Sequence, residues 1–475
     1  MMYERRTKII ATLGPASSTP EMIKKLFIAG ANVFRLNFSH GTHEHHKKTA
    51  SIIRTIEQEL ERPVAIMMDL QGPKIRIGVF EDGSVSLKSG SKFILDLEKE
   101  FGNCRRINLP HPEIFNALKT GTDLLLDDGR IKLRVLDNDG KKIETEVIEG
   151  GILSNKKGVN IPNVILPITA LTEKDKKDIA IVDDINADWL AVSFVQTAED
   201  ILYARSFVND KVNILAKIEK PSAVKNIDSI LEVSDAIMVA RGDLGVEIPF
   251  EQVPGIQNQL INKAKQHRKP VVVATQMLES MTKCHVPTRA EVSDISSAIR
   301  DGADAIMLSA ESASGDYPEE SVKVMAKVAR QVELDFQCLD DNIPNKEFQT
   351  PMAISAWSAV KFGSIKYIAA FTETGRTAIN VSNTRPSADI IALTPNMKTL
   401  RKLCLVWGVK TILIEEIYSF SQIVQIVQKR LCDYCSLENK EKVVVVAGIP
   451  FRVSGTSNLL HICETESVNL KDEKA

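Results

Sequence analysis

Eight short apolar runs, each closed by polar residues and each followed by a stretch with helical periodicity, constrain this chain more than any other feature. They fall at 7–13 (TKIIATL), 31–36 (ANVFRL), 63–69 (PVAIMMD), 188–194 (DWLAVSF), 212–218 (VNILAKI), 234–240 (SDAIMVA), 270–275 (PVVVAT) and 303–308 (ADAIML). Short apolar runs alternating with amphipathic helices are the pattern of a parallel sheet whose crossovers are helical. The helical stretches, such as 19–29, 172–182, 250–267 and 318–336, often open on Thr, Ser or Pro, residues that cap or pre-shape a first turn. Eight strands, eight helices and no evident edge strand predict an α/β fold, a closed (β/α)8 barrel of the TIM type. The active site of such a barrel lies at the C-terminal ends of its strands.

The rhythm breaks twice, as expected for a chain of 475 residues, since one core rarely grows beyond ~250–300. From 73 to 167 it gives way to short alternating runs (IRIGVF, SVSLK, KFILDL, LLLDD, IKLRVL, IETEVI) separated by Asp-Gly turns, which predict an inserted small β-barrel domain. The insertion leaves just after the third strand, on the catalytic rim, so it is placed to act as a lid with Gly72-Pro73 in its hinge. After Cys338 a polar linker, LDDNIPNKEFQTP, leads to strand candidates at 366–371, 389–393, 410–414 and 442–447 and a charged tail at 471–475. The expected domains are therefore a barrel at 1–72 and 168–340, a lid at 73–167 and a C-terminal α/β domain at 341–475.

A net charge of −2 with 26% charged residues gives no broad attraction to nucleic acid or an anionic membrane, so any phosphate site must be local. Aromatic residues, at 5%, are too few for base-stacking platforms. No apolar run reaches the ~18 residues of a membrane span, and the first residues lead into a strand without a signal-peptide core, so a cytoplasmic protein is expected. Seven scattered cysteines fit reduced thiols, and the lone C-x-x-C at Cys432 and Cys435 reads as structural because no second pair stands at zinc spacing.

Barrel strands are apolar in the middle, which makes the polar residues at their ends informative. The second strand ends in Arg35, Asn37, Ser39 and His40; the third in Asp69; the fifth in Lys217 and Glu219; the sixth in Arg241 and Asp243; the last two in Thr275 and in Ser309 with Glu311. Lys217 and Glu219, two apart, point to one side of their strand. Alone they would make an ion pair. With Arg241-Gly242-Asp243 closing the next strand, a second carboxylate stands close enough to share a cation, and Mg²⁺ takes one or two carboxylates plus substrate oxygens and water. The glycines of RGDLGVE (241–247) let backbone amides approach a substrate carboxylate. No P-loop pattern occurs. The histidines of HGTHEHH (40–46) fall on different faces of a helix start and read as a solvated segment, with His40 at the strand end the exception.

These segments resemble one family, pyruvate kinase: KIIATLGPAS (8–17), VFRLNFSHG (33–41), DLQGPKIR (69–76), AKIEKP (216–221), VARGDLGVE (239–247), ATQMLESM (274–281), PTRAEVSD (287–294) and DAIMLSAES (304–312). The resemblance implies transfer of the phosphoryl group of phosphoenolpyruvate to ADP, giving pyruvate and ATP in the last step of glycolysis, through an enolate stabilised by Mg²⁺ or Mn²⁺. It implies that Lys217 contacts the transferring phosphoryl group, that Glu219 and Asp243 ligate the metal, and that Arg35 and Arg76 clamp phosphate. Arg241, Gly242, Asp243 and Thr275 would line the substrate, Asn37, His40 and Arg76 the nucleotide. Thr275, Ser309 and Glu311 would form a proton relay, and the assembly would be a homotetramer.

Asn37, Ser39, Asp69 and the carbonyl of Leu70 resemble the pocket that holds K⁺ in many members. Potassium-dependent members carry Asp-Thr-Lys-Gly-Pro-Glu where this chain has Asp69-Leu70-Gln71-Gly72-Pro73-Lys74. The Lys74 ammonium is therefore expected to stand in for K⁺. Thr372-Glu373-Thr374-Gly375-Arg376-Thr377, between a strand and a helix start, resembles the effector-phosphate loop of bacterial members activated by AMP or sugar monophosphates. A metal-dependent lyase of the same barrel class would not need the lid and would be indifferent to ADP, and a non-catalytic paralogue would be expected to have lost Lys217 or a metal ligand.

Overall fold

The computed structural model of the protein describes residues 5–162, 164, 169–210, 212–337, 349–431, 441–450 and 457–465. Eight strands, β1 (Lys8–Leu13), β2 (Val33–Asn37), β3 (Ala65–Asp69), β4 (Trp189–Val192), β5 (Asn213–Ile218), β6 (Ala236–Ala240), β7 (Val271–Ala274) and β8 (Ala305–Leu308), pair in parallel and close into a barrel, β8 returning to β1. Alternate side chains serve two cores. Ile10, Met67, Ala191 and Met307 fill the barrel interior, while their neighbours Ile9, Met68, Leu190 and Ile306 pack outward against the helices. That double burial is why the runs are apolar at every position rather than at every second one.

The helices begin where caps predict. Thr19 accepts from the amide of Met22 ahead of the helix Pro20–Ala29, and Thr172 with Asp175 forms a capping box ahead of Glu173–Ile179. The stretch read as one helix over 250–267 divides into a single 3₁₀ turn, Phe250–Gln252, and an α-helix, Val253–Gln266. Pro254 has no amide hydrogen to continue the preceding turn, so it opens a new helix instead.

The lid strands form a six-stranded sheet and a two-stranded sheet around one core that includes Phe93, Leu95, Leu124 and Leu133. The run IRIGVF makes only isolated bridges, Arg76 with Gly158 and Phe80 with Gly102, because the amides of Ile77 and Gly78 bond to two different segments. In the C-terminal region four parallel strands, Tyr367–Phe371, Asp389–Thr394, Val409–Leu413 and Lys442–Ala447, match the candidates. A fifth, Leu459–Glu464, runs antiparallel at the edge and was not anticipated. The barrel floor is closed by Cys404 and Leu405, which join the interior core. Cys432, Cys435, most of the linker and the charged tail lie outside the described residues. Among those described, no helix is long and apolar enough to cross a membrane.

Candidate active site

One cavity at the C-terminal mouth of the barrel is lined by Arg35, Asn37, Ser39, His40, Asp69, Leu70, Lys74, Arg76, Lys217, Glu219 and Asp243, most of the polar strand-end residues together with one arginine from the lid. At its centre the Lys217 ammonium lies 2.8 Å from Glu219 Oε1 and 3.3 Å from Asp69 Oδ1, and donates to Ser193 Oγ at 2.7 Å. Arg35 Nε holds the other Asp69 oxygen at 2.5 Å and its Nη1 donates to Thr12 Oγ1 at 3.0 Å. Burial alone would push the Asp69 carboxyl up, but Arg35 and then Lys217 outweigh it and hold it below the usual carboxylate range. Burial also opposes the Lys217 charge, yet Asp69 and Glu219 more than compensate, so its pKa is raised and it stays an ammonium.

Glu219 is the strained partner. Burial pushes its carboxyl up against the pull of Lys217, and the like charge of Asp243 adds to the push. Two carboxylates crowded in this way fit a hard divalent cation, which would relieve both. Among the described residues no cluster of three or more acids, histidines or cysteines stands at metal-holding distance, so a metal here would have two carboxylates from the protein, Glu219 and Asp243.

Thr275 and Gln276, just beyond β7, both adopt left-handed backbone conformations, with φ of 69° and 56°. Such residues cost of order 1–3 kcal/mol each, and a β-branched threonine there is an outlier that its surroundings must hold in place. The Thr275 hydroxyl accepts from the amide of Gly242 at 2.7 Å and donates to the carbonyl of Ala274 at 2.6 Å. Arg241, expected against substrate, turns its side chain away from the cavity: it ion-pairs with Asp294 at 2.6 Å and donates to the carbonyl of Thr275 at 2.8 Å. The carboxylate of Glu311 accepts from the amides of Leu278 and Ser309, so it staples β8 to the loop after Thr275 with no direct bond to the Thr275 hydroxyl.

The cluster read as solvated, His43 to His46, is partly packed. His46 is buried, stacks on Phe38 with ring centroids 4.1 Å apart, and meets the carbonyl of His40 at 2.9 Å, while His43 contacts Asp178 at 2.7 Å. Only His40 reaches the cavity. In the C-terminal region Thr372 Oγ1 accepts from the amide of Gly375, whose φ of 86° opens the helix Arg376–Asn383. Thr399 closes the same loop through the carbonyl of Glu373 at 2.6 Å.

Residues 4–322 match the model of the pyruvate kinase barrel domain, and 351–463 that of the pyruvate kinase alpha/beta domain. Curated relatives include pyruvate kinases of Methylorubrum extorquens, 45% identical over 97% of this chain and 98% of theirs, and of Agrobacterium vitis, 46% identical over the same shares. A crystal structure of a pyruvate kinase from Cryptosporidium parvum superposes with a TM-score of 0.90 at 33% identity, covering 97% of this chain and 96% of that one. The chain belongs to the pyruvate kinase family. It is accordingly a phosphotransferase, and the barrel, lid and C-terminal α/β region are those of the pyruvate kinase fold. Two residues of this pyruvate kinase cavity escaped the sequence reading. Ser193 accepts from Lys217 and donates to the Leu70 carbonyl at 2.8 Å, and the amide of Phe194 donates to Glu219 Oε2 at 2.9 Å. Ser193 ends the fourth strand as Lys217 ends the fifth, so the polar-terminus criterion would have found it had it been applied to every strand.

Proposed function

We propose that this pyruvate kinase carries out its reaction at the cavity described, with Lys217 as the central cation, Glu219 and Asp243 as the residues that hold Mg²⁺, and Arg35 and Arg76 on phosphate. Phosphoryl transfer passes through a loose transition state whose charge sits on peripheral oxygens, so the task is positioning and neutralisation. Lys217 is poised for it. Held at once by Glu219, Asp69 and Ser193, it is a fixed positive charge at the centre of the cavity, and this one observation carries the reading that the enolate oxygen loses its phosphorus beside it. Bound Mg²⁺ would add a Lewis acid beside the same oxygens. Arg35 is already oriented by Asp69 and Thr12, while Arg76, tied to the carbonyl of Lys156 at 2.8 Å, brings lid and nucleotide side together with Asn37 and His40. Thr275 belongs to the relay that protonates the enolate face, passing on a proton that comes from solvent so that its own hydroxyl is restored in the same step, and Glu311 and Ser309 support that relay by holding its loop beside β8.

Three finer readings belong with it. The cavity wall that resembles the K⁺ pocket carries Lys74 together with Asn37, Ser39, Asp69 and Leu70, so an ammonium replaces the ion and K⁺ is dispensable. The loop Thr372 to Thr377 takes a phosphorylated effector. Arg376 lies within electrostatic reach of Lys402 and Lys269, whose pKa values are lowered chiefly by burial, an effect that the Asp235 carboxylate opposes and Arg205 and Arg376 reinforce, so the loop faces a cationic neighbourhood that Asp235 partly balances. The protein works in the cytoplasm as a homotetramer, as the resemblance implies. A coupled assay for pyruvate tests the core of this reading: formation must depend on ADP and Mg²⁺ and persist when tetramethylammonium replaces K⁺. Product formation indifferent to ADP would indicate a lyase, and a many-fold loss without K⁺ would remove Lys74 from its role.

A further inference from the structure

Arg241 does not touch the cavity, yet it holds the residue on which the second half of the reaction turns. Neither Thr275 nor Gln276 is a residue that adopts a left-handed conformation unaided, so the turn they form is held from outside. One nitrogen, Arg241 Nη2, donates to the carbonyls of both, at 2.8 and 3.3 Å. The amide of the next residue, Gly242, donates to the Thr275 hydroxyl at 2.7 Å. Consecutive residues at the start of the helix Arg241–Glu247, which follows β6, thus grip the same threonine at its carbonyl and at its hydroxyl. The guanidinium is in turn fixed by Asp294 Oδ1 at 2.6 Å and Gln257 Oε1 at 3.4 Å, and Arg241 is only 8% exposed.

We propose that Arg241 is a positioning residue for the protonation half-reaction: by pinning the Thr275–Gln276 turn it sets where the Thr275 hydroxyl stands relative to the enolate. The inference rests on the reading of Thr275 as part of the proton relay. It separates the two half-reactions, because Arg35, Lys217 and Glu219 reach the cavity from other strands and do not depend on this turn; Asp243 shares the helix Arg241–Glu247, so an unchanged KM in R241K is the check that its carboxylate has stayed in place. Lysine at 241 would keep the charge beside Asp294 but lacks the planar fork needed to hold that carboxylate and two carbonyls together.

The test follows exchange of pyruvate methyl protons with deuterium oxide by NMR in the presence of Mg²⁺ and ATP, alongside KM for phosphoenolpyruvate, in R241K, T275V and the double variant. R241K is expected to slow exchange roughly 10–100-fold while KM moves less than about 3-fold, as a misplaced catalytic group predicts. In the T275V background the same substitution should change exchange by less than about 2-fold, since a residue acting through Thr275 has nothing left to position. Slow exchange in T275V with normal exchange in R241K overturns the role of Arg241 alone, as does an equal loss from R241K in both backgrounds. Normal exchange in T275V removes the relay and this inference with it. Should R241K fail to fold, Asp294→Asn loosens the same guanidinium without deleting it, and unaltered exchange in folded D294N counts against the proposal.

Discussion

At the scale of single residues, the site was legible wherever a polar side chain interrupts an apolar strand, because such an interruption has to be explained by something at the barrel mouth. Lys217, Glu219, Asp69 and Arg35 all stood out on that criterion and all line one cavity. What escaped was direction. Nothing in the letters Arg-Gly-Asp says that the arginine turns away toward Asp294 while the aspartate faces inward, since that depends on a helix from the next βα unit. The central prediction at this scale concerns charge. Lys217→Met removes the cation that Asp69 and Glu219 hold in place, and kcat should fall on the order of 10²–10⁴, about 3–5 kcal/mol of transition-state stabilisation, with a smaller change in substrate affinity. Steady-state kinetics with saturating ADP measures it, and wild-type turnover in the folded variant would remove Lys217 from the chemistry. Thr275→Val should slow proton exchange into pyruvate more than it weakens binding of phosphoenolpyruvate; the reverse ordering would exclude a role in protonation.

At the scale of elements, the eight barrel strands were readable because both faces of each are buried, leaving continuous apolar runs with a clear beginning and end. The edge strand Leu459–Glu464 was not, since it lies half exposed at the rim of its sheet and its residues show no clean alternation. Connections between elements carry a second prediction. The short helix Met397–Lys402 touches the effector-loop candidate through Thr399, and two residues on Arg401 grips Glu57 with two hydrogen bonds, of 3.0 and 2.6 Å. Glu57 Oε1 also accepts from the amide of Val64, immediately before β3, the strand that ends in Asp69. The effector-loop candidate is thereby linked to the strand that carries Asp69 into the cavity. Arg401→Ala should leave unactivated turnover within about 2-fold while reducing activation by a phosphorylated effector several-fold, within the 1–3 kcal/mol typical of coupling between sites. Effector titrations of both proteins decide it: an unchanged activation curve would show that this helix carries no coupling.

At the scale of the whole molecule, the contacts that join the barrel to the C-terminal region were invisible in the sequence, because they pair residues some hundreds of positions apart whose charges look like ordinary surface. Lys8, the first residue of β1, is the clearest case. Its ammonium is buried beneath the barrel and donates to the carbonyl of Val409 at 2.7 Å, next to the Cys404 and Leu405 plug. Burial, opposed by Cys404 and reinforced by Arg5 and Lys410, lowers its pKa from the ordinary 10.5 to about 8. Below pH 8 the folded and unfolded chains both bind the proton, and the folded state bears the full cost of a buried charge. Between pH 8 and 10.5 the folded chain releases the proton first, so the unfolded state binds more protons and the contribution of Lys8 to stability rises with pH. The shift corresponds to about 3 kcal/mol in total. Lys8→Met removes the titrating group and should flatten this term. Stability of wild type minus that of K8M, measured by urea unfolding across pH 7 to 10, should therefore climb by about 2–3 kcal/mol, most of it above pH 8. A difference that stays level over that range would mean that the ammonium keeps its proton at the domain junction, and that burial there is relieved by water or by a neighbouring charge.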